Sequence, residues 1–456
     1  MHLPDQYKEF VKKENLFQKG DKLLLAVSGG VDSVVLCALI NLSGYDFVIA
    51  HCNFRLRGEE SSRDEEFVRR LGLKWGKPVL VKHFDTEKIA RENKWSVQVA
   101  ARELRYRWFK ELVIAEGSNT TKVLADYIVT AHHADDNIET LLMNFFKGTG
   151  MAGLRGMLPK AERLVRPLLF ARKAELVRFA TEQQLEWVED SSNVLDKYTR
   201  NYFRHQLIPG LQKVFPQTEE NLLNNLPRFR EAEQLYRQAV NRHMEKLLEK
   251  RGDETHIPVL KWKKAVPLET VTYEIIKDYG FNPAQTGEVI QLMDAVTGSY
   301  IRSPAYRIIK NRNWMILSPL PVEQTAVQTI EEGEGLISFA GGTLQIKKLA
   351  SGLPISADVL IAQLDADKIQ FPLLLRKQKR GDYFYPLGMQ KKKKLGRFLS
   401  DLKISLTERE NTWVLEMDKK LLWVVGKRID DRFKITPSTK TILQITIAAN
   451  QNAGYG

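Results

Sequence analysis

The sequence predicts an α/β fold: a doubly wound, mostly parallel sheet in the N-terminal half, then a mainly helical central domain, then a smaller α+β C-terminal domain. Three observations carry this expectation. Residues 23–27 are an unbroken apolar run, Ser28-Gly29-Gly30-Val31-Asp32-Ser33 follows, and residues 34–40 are apolar again, which reads as strand, tight turn and helix. Up to about residue 210 short apolar runs keep alternating with helical periodicities, the order that gives parallel strands covered by helices on both faces. The strand signal then fades after Phe215 and returns from about Ile355.

Taken in chain order, strands are expected at residues 23–27, 47–52, 79–84 and 127–131, where apolar and β-branched residues form runs too short for helices. Helices are expected between them, among others at 62–71, 96–115 and 135–146. Residues 219–251 form a long charged helical stretch, and 268–296 read as helix. A hairpin fits 299–319, where Tyr306-Arg307-Ile308-Ile309 and Trp314-Met315-Ile316-Leu317 alternate. Acidic, glycine-containing residues 324–340 read as a linker or as a linker that includes the start of a strand. Strands return at 413–417, 421–425 and 441–447. The domains expected from this are 1–214, 215–322 and 323–456.

The first turn is suited to an anion. Two glycines let backbone approach a bound group closely, because no Cβ stands in the way. The helix that follows offers unpaired N–H groups and a positive dipole end, and Ser28 and Ser33 add hydroxyl donors. Asp32 is the odd member, since a carboxylate beside a phosphate repels it unless a cation bridges them; Asp32 therefore reads as a Mg²⁺ contact.

A second cluster lies at Thr130-Ala131-His132-His133-Ala134-Asp135-Asp136-Asn137-Ile138-Glu139-Thr140. A strand ends at His132 and a helix begins near Asp135. His132, Asp136 and Glu139 are spaced i, i+4 and i+7, which stacks them on one helical face. They can hold an ammonium group or a metal, or move a proton; equally, Asp135 and Asp136 complement the helix N-terminus. Arg200 and Arg204, flanking Asn201, sit one helical turn apart, and an arginine fork grips two phosphate oxygens at once. Upstream, Arg102 and Arg105 fall on adjacent faces of one helix. A surface salt-bridge helix is the plainer reading of each pair.

The chain has 456 residues and a net charge of +13, from 69 lysines and arginines against 56 aspartates and glutamates. Either a polyanionic partner or a solvated basic surface accounts for that excess, and its distribution favours the partner. From Arg376 to Lys403 ten residues are basic and two acidic, with Tyr383, Phe384, Tyr385 and Phe398 interleaved. So one-signed a stretch, with stacking groups inside it, suits nucleic acid. Lys391, Lys392, Lys393, Lys394 and Arg397 are its densest part. Cys37 and Cys52 read as core residues; neither belongs to a Cys-x-x-Cys pair, so zinc and iron–sulfur sites lack ligands. Such cysteine usage fits a reducing cytosol. Residues 1–22 are polar and mixed in charge, unlike a signal peptide. No apolar run approaches the roughly 20 residues of a membrane span, so a cytoplasmic protein with no membrane partner is expected.

Ser28-Gly29-Gly30-Val31-Asp32-Ser33 lacks the Gly-Lys-Ser/Thr of a Walker loop and resembles the pyrophosphate loop of the N-type ATP pyrophosphatases, which cleave ATP between the α- and β-phosphates. In one order, this loop, LRGEES (56–61), AARELRY (100–106), HHADDNIET (132–140), GTGMAGLRGM (148–157), RPLL (166–169), DSSN (190–193) and RN-x-x-R (200–204) resemble the tRNA(Ile)-lysidine synthetase family. RGDYFYPLG (380–388), the lysine cluster, FLSD (398–401) and WVVGKRIDD (423–431) are similar to that family's C-terminal tRNA-binding domain. The resemblance covers essentially the whole chain and is least distinctive in the central part.

It implies adenylation of the wobble cytidine of a CAU-anticodon isoleucine tRNA by ATP with Mg²⁺, then displacement of AMP by the ε-amine of free L-lysine. It further implies that Ser28, Gly29, Gly30, Val31 and Ser33 hold ATP, and that Asp32 orders the metal. Arg105, His132 and Asp136 surround the reacting base and the lysine, and Glu139 partners the lysine ammonium. Arg200, Asn201 and Arg204 face RNA or substrate, and the basic C-terminal run holds the tRNA body. Two departures stand out: Asn53-Phe54-Arg55 occupies a loop where many members have a histidine, and residues 117–126 look inserted.

Three rivals remain. A thiolating enzyme of the same loop class calls for catalytic cysteines or a cluster, and a glutamine-dependent synthetase calls for an amidotransferase cysteine; neither is visible. A non-catalytic RNA-binding relative keeps the fold without the chemistry. Oligomeric state, a homodimer included, is left open by the sequence.

Overall fold

The computed structural model describes residues 2–113, 124–189, 199–320, 327–352 and 354–448. The chain divides into two compact units, Met1–Arg237 and Gln238–Gly456.

The first unit runs α1 (Leu3–Lys13), β1 (Lys22–Ala26), α2 (Val31–Leu42), β2 (Asp46–Asn53), α3 (Glu59–Trp75), β3 (Val79–His83), α4 (Thr86–Asn93), α5 (Val97–Val113), β4 (Tyr127–Val129), α6 (Ala134–Lys147), α7 (Met151–Leu154), β5 (Lys160–Ala161), β6 (Leu164–Val165), α8 (Lys173–Glu182), α9 (Thr199–Tyr202), a π-helical turn (Phe203–Leu207) and α10 (Ile208–Val214). The sheet order is β3-β2-β1-β4-β6-β5. Pairings along it are parallel except the short β5–β6 hairpin.

Alternation along β1 explains the two layers of helices. Leu23 and Leu25 pack with Phe47 and Ile49 into a core shared with α1, α2, α3 and α8. Leu24 points the other way, joining Val48, Ala50, Phe84 and the Leu104, Trp108 and Phe109 stripe of α5. Each fully buried leucine stabilises the unit by roughly 1.5–3 kcal/mol, and a charge at any of these positions would disrupt one layer. Chain order reverses at β1, with β2 on one side and β4 on the other, so the crevice beyond their carboxyl ends is where such sheets bind ligands.

α11 (Thr218–Leu247) carries the chain into the second unit. Next come β7 (Glu249–Arg251), β8 (Glu254–Pro258), α12 (Val259–Trp262), α13 (Leu268–Lys277), α14 (Gln285–Leu292), β9 (Tyr300–Arg302), β10 (Tyr306–Asn311) and β11 (Trp314–Pro319). The expected hairpin is β10–β11, but it belongs to a five-stranded antiparallel sheet, β7-β8-β11-β10-β9. β7, whose three residues are all charged, fell at the end of the stretch expected as helix at 219–251, and β8 lies in the gap before 268, where no strand was expected. The stretch expected as one helix at 268–296 is two, broken at Gly280, whose φ of +77° suits glycine, and kept apart by Pro283.

β12 (Gln328–Ile330), β13 (Gly335–Phe339), β14 (Gly342–Ala350), β15 (Ile361–Asp365), β16 (Leu373–Lys377), β17 (Tyr383–Phe384), β18 (Lys393–Lys394), α15 (Leu395–Asp401), α16 (Leu406–Glu410), β19 (Trp413–Met417), β20 (Lys420–Val424), β21 (Arg428–Ile429) and β22 (Thr441–Ala448) complete the chain. They form sheets β12-β16-β19-β20-β21 and β13-β14-β22-β15 and the ribbon β17–β18. Leu344, Leu364 and Leu443 of one sheet share a core with Leu375, Leu415 and Trp423 of the other. Of the two readings of 324–340, the one with a strand start holds: the segment contains β12 and β13; its residues 324–326, like the expected boundary at 322, lie outside the described residues. Among the described residues, no helix is long and apolar enough to cross a membrane.

Candidate active site

The turn after β1 is a closed hydrogen-bonded cradle. Gly29 has φ +98° and Gly30 caps α2 in extended conformation. Ser33 Oγ donates to the Gly30 carbonyl at 2.8 Å and accepts from the Gly29 N–H at 3.2 Å, while Gly30 N–H reaches Ser28 Oγ at 3.3 Å. The serines thus set the turn as well as offering donors. Val188 N–H bonds the Gly29 carbonyl at 3.0 Å, and a Cβ on Gly29 would stand 2.7 Å from Val188 Cγ2. Beside the turn, His51 Nδ1 lies 2.9 Å from the Val27 carbonyl. A carbonyl accepts, so Nδ1 carries the proton. Burial lowers the pKa of His51 and keeps it neutral.

At the end of β4, His133 caps α6, and its N–H bonds Asp136 Oδ2 at 3.1 Å. His132 Nδ1 meets Thr130 Oγ1 at 2.9 Å. Burial pushes His132 down to about 4, so the ring is neutral at physiological pH. Burial also works against charge on His133, but Asp135, Asp136 and Asp32 outweigh it and hold its pKa above the ordinary value. Burial would raise Asp135; the His133 ring, the Arg172 guanidinium and the Lys173 amide overcome that and hold it well below the usual carboxylate range.

Asp32 joins the two elements. Its Oδ1 accepts from Lys173 Nζ at 2.7 Å, and its Oδ2 lies 3.8 Å from His133 Nε2. Lys173 and Arg172 open α8, and both tie it to Asp135: Arg172 through its side chain at 2.7 Å and Lys173 through its N–H at 2.7 Å. One turn along α6, Glu139 is 1% exposed; its Oε1 accepts from Arg204 Nε at 2.7 Å, and its Oε2 lies 3.2 Å from Arg200 Nε in an ion pair. Arg200 also donates to Thr140 Oγ1 at 3.0 Å, and Arg204 lies 3.5 Å from Asp136 Oδ1. Arg204 sits in the π-helical turn, a feature that recurs at functional sites.

The structure therefore gathers Ser28, Gly29, Gly30, Val31, Asp32 and Ser33 with His132, Asp136, Glu139, Arg200 and Arg204 at the ends of β1 and β4. Asn201 is buried beside the two arginines. Arg105 stands elsewhere in the crevice, exposed, with its guanidinium 5.2 Å over the Phe54 ring at the end of β2. Asn53, in the loop that departs from the expected histidine, donates to the Ser61 carbonyl at 3.3 Å and to Glu65 at 2.9 Å, and so pins the loop to α3. This loop and α3 line a cavity of about 920 Å³. Lys391, Lys392, Lys393, Lys394 and Arg397 belong to the second unit; Lys393 is paired with Asp401 at 2.8 Å, while the other four are exposed. DSSN (190–193) and most of the inserted segment lie outside the described residues.

Residues 172 and 173 were not singled out in the sequence. Their signal was two cations at a helix start, where the dipole disfavours them; such a placement needs anions nearby, and Asp32 and Asp135 supply them. Burial raises both thiols, Cys52 to about 12 and Cys37 further, so neither is a thiolate nucleophile.

Family models match three stretches: a PP-loop domain over residues 1–211, a TilS substrate binding domain over 250–320 and a TilS substrate C-terminal domain over 373–446. The tRNA(Ile)-lysidine synthase of Bacteroides thetaiotaomicron is 34% identical over 437 residues, covering 95% of this chain and 97% of that one. The chain belongs to the tRNA(Ile)-lysidine synthase family. Another lysidine synthase, from Parabacteroides distasonis, is 35% identical over 436 residues, with 95% and 97% coverage. Among solved structures, a U34-tRNA thiolase from Methanococcus maripaludis matches at 15% identity and a TM-score of 0.39, covering 50% of this chain and 79% of that one. The crevice at β1 and β4 lies inside the segment that matches the PP-loop model.

Proposed function

We propose that this chain joins free L-lysine to the wobble cytidine of the CAU-anticodon isoleucine tRNA, driven by ATP, in the cytoplasm. The observation that carries the reading is the meeting of a phosphate cradle and a carboxylate–arginine cluster at one crevice, where His133 lies 3.8 Å from Asp32 of the cradle and 3.5 Å from Asp136 of the cluster. All the residues named for catalysis lie in Met1–Arg237 of a single chain, so the reading needs no partner protomer. The division into catalytic, central and C-terminal domains at residues 214 and 322 is part of the same proposal.

Ser28, Gly29, Gly30, Val31 and Ser33 hold the ATP phosphates through backbone N–H and hydroxyl donors at the α2 N-terminus. Asp32 is the residue to hold Mg²⁺. Its fit rests on the donor set, one carboxylate beside a phosphate cradle, which is how this ion is usually held. Among the described residues no group of three or more His, Cys, Asp or Glu is placed to hold an ion unaided, in keeping with an ion that is held partly by phosphates. Bound there, Mg²⁺ supplies charge neutralisation on the phosphates.

In the first step the cytosine carbonyl oxygen attacks the α-phosphorus; an O–P bond forms, the α–β bridge breaks and pyrophosphate leaves. Lys173 and Arg204 are placed to stabilise the negative charge. In the second, the lysine amine attacks the activated carbon, the C–O bond breaks and AMP departs. Asp136 and Glu139 orient the ammonium, while Asp136 or neutral His132 takes its proton. Arg105, with its guanidinium over the Phe54 ring, receives the unstacked base, as recognition of single-stranded RNA requires. Lys391, Lys392, Lys394 and Arg397 bind tRNA phosphates.

ATP labelled at the α-phosphate tests the order of steps. Without lysine, label should move onto the RNA; adding lysine should chase it off as AMP. ATP cleavage with label never on the RNA would contradict the scheme.

A further inference from the structure

Phe145 and Phe146 are adjacent at the end of α6 and are 63% and 62% exposed. Phenylalanine belongs inside, and two together at the surface call for an explanation. Their rings meet edge to face at 5.6 Å, and Phe146 meets Phe203 at 6.0 Å. Phe203 is buried and directly precedes Arg204, the partner of Glu139. Phe146 follows Glu139 by seven residues, so both lie on one face of α6, about 10 Å apart along the axis. The apolar surface thus begins where the charged cluster ends. In the chain, Lys147 directly follows Phe146, and Tyr202, 53% exposed, directly precedes Phe203.

We infer that Phe145 and Phe146 form a stacking platform for an unpaired base of the RNA substrate, within about three nucleotides of the base that reacts. The inference rests on the function proposed above. An occupant made of nucleotides is favoured over an apolar protein segment because the platform continues directly from the arginine cluster, with Lys147 directly after it in the chain. A strand of RNA brings phosphates to the cations and bases to the rings at the same time. One end of the loop is then held by chemistry and the other by stacking, which fixes the register of the reacting base.

The test uses the full-length protein and an anticodon stem-loop RNA in which 2-aminopurine replaces one loop purine at a time. Binding to the unaltered protein should quench the fluorophore at a position near the wobble base. Phe146→Leu, which keeps apolar bulk without an aromatic face, should abolish that quenching and weaken binding 5- to 100-fold. The dependence of affinity on salt should not change, because stacking releases no counterions. Phe146→Trp should restore both quenching and affinity. Phe145→Leu provides a second variant if Phe146→Leu does not fold. Quenching and affinity that survive in Phe146→Leu would overturn the platform. So would self-association of the unaltered protein that Phe146→Leu abolishes while RNA affinity holds, since the rings then serve a second copy of the chain. If the unaltered protein binds no RNA loop, the proposed function falls and takes the platform with it; retained lysine transfer with unaffected variants removes the platform alone.

Discussion

Replacing Gly29 by alanine probes the cradle at its tightest point. Two costs add. At φ +98° an L-residue is strained by about 1–3 kcal/mol. The new Cβ would also lie 2.7 Å from Val188 Cγ2, so that side chain must move by several tenths of an ångström, at an overpacking cost of about 1–3 kcal/mol. Together they give about 4 kcal/mol. In a unit of this size each kilocalorie lowers the midpoint by about 2–4 °C, so the expected fall is about 8–16 °C. Gly29 and Gly30 N–H groups shift with the strain, so ATP affinity should fall at least about tenfold, one misplaced charge-assisted hydrogen bond being worth about 1.5–3 kcal/mol. Val188→Ala separates the two costs. It relieves the contact but not the dihedral, so the double variant should be less destabilised than the single effects combined, by about 1–2 kcal/mol. Thermal unfolding and calorimetric ATP titration read both quantities. A Gly29→Ala protein that unfolds within about 1 °C of the original and binds ATP equally well would refute this geometry.

Asp32→Ala should abolish pyrophosphate release and leave tRNA affinity nearly intact; equal turnover in a pyrophosphate assay would remove Asp32 from the chemistry. His132 is held at about 4 in the fold against 6.5 ordinarily. The unfolded chain therefore takes the proton first, and the stabilisation from neutral His132, full above pH 6.5, is lost as pH falls toward about 4. The stability gap between the original and His132→Asn should narrow across that window, and a gap independent of pH would contradict the assignment. Neutralising Lys391, Lys392, Lys393 and Lys394 together should lower the slope of log affinity against log salt by about 2–3. Three exposed lysines contribute about 0.7–0.9 each, and Lys393 contributes less because Asp401 already neutralises it. An unchanged slope in a filter-binding titration would take the cluster out of the tRNA footprint.

The N-terminal sheet was legible because its strands are buried on both faces, so Leu23–Leu25 and Phe47–Ala50 read as short apolar runs whatever packs on them. β7 was not legible because all three of its residues are charged, and β8 because Glu254, Thr255 and His256 leave Ile257 as its one apolar, β-branched residue. The break at Gly280 and Pro283 was there to be read, yet the apolar periodicity on either side outweighed it. In the site, Asp136 and Glu139 could be grouped because they lie three apart on one face of α6; His132 was expected to continue that face, but α6 begins at Ala134, and His132 joins the group from the end of the preceding strand. Lys173 could not be grouped with Asp32: 141 residues separate them, and their meeting depends on α8 packing against α2. Arg105 shows the converse. Its helix was read correctly, but only the fold reveals that its cation rests on Phe54.

Incorporation of radiolabelled lysine into CAU-anticodon isoleucine tRNA tests the account most directly. It predicts label that requires ATP, is lost when the wobble cytidine is replaced, and is absent with Asp32→Ala. ATP cleaved to AMP, with tRNA bound and no lysine incorporated, would contradict it.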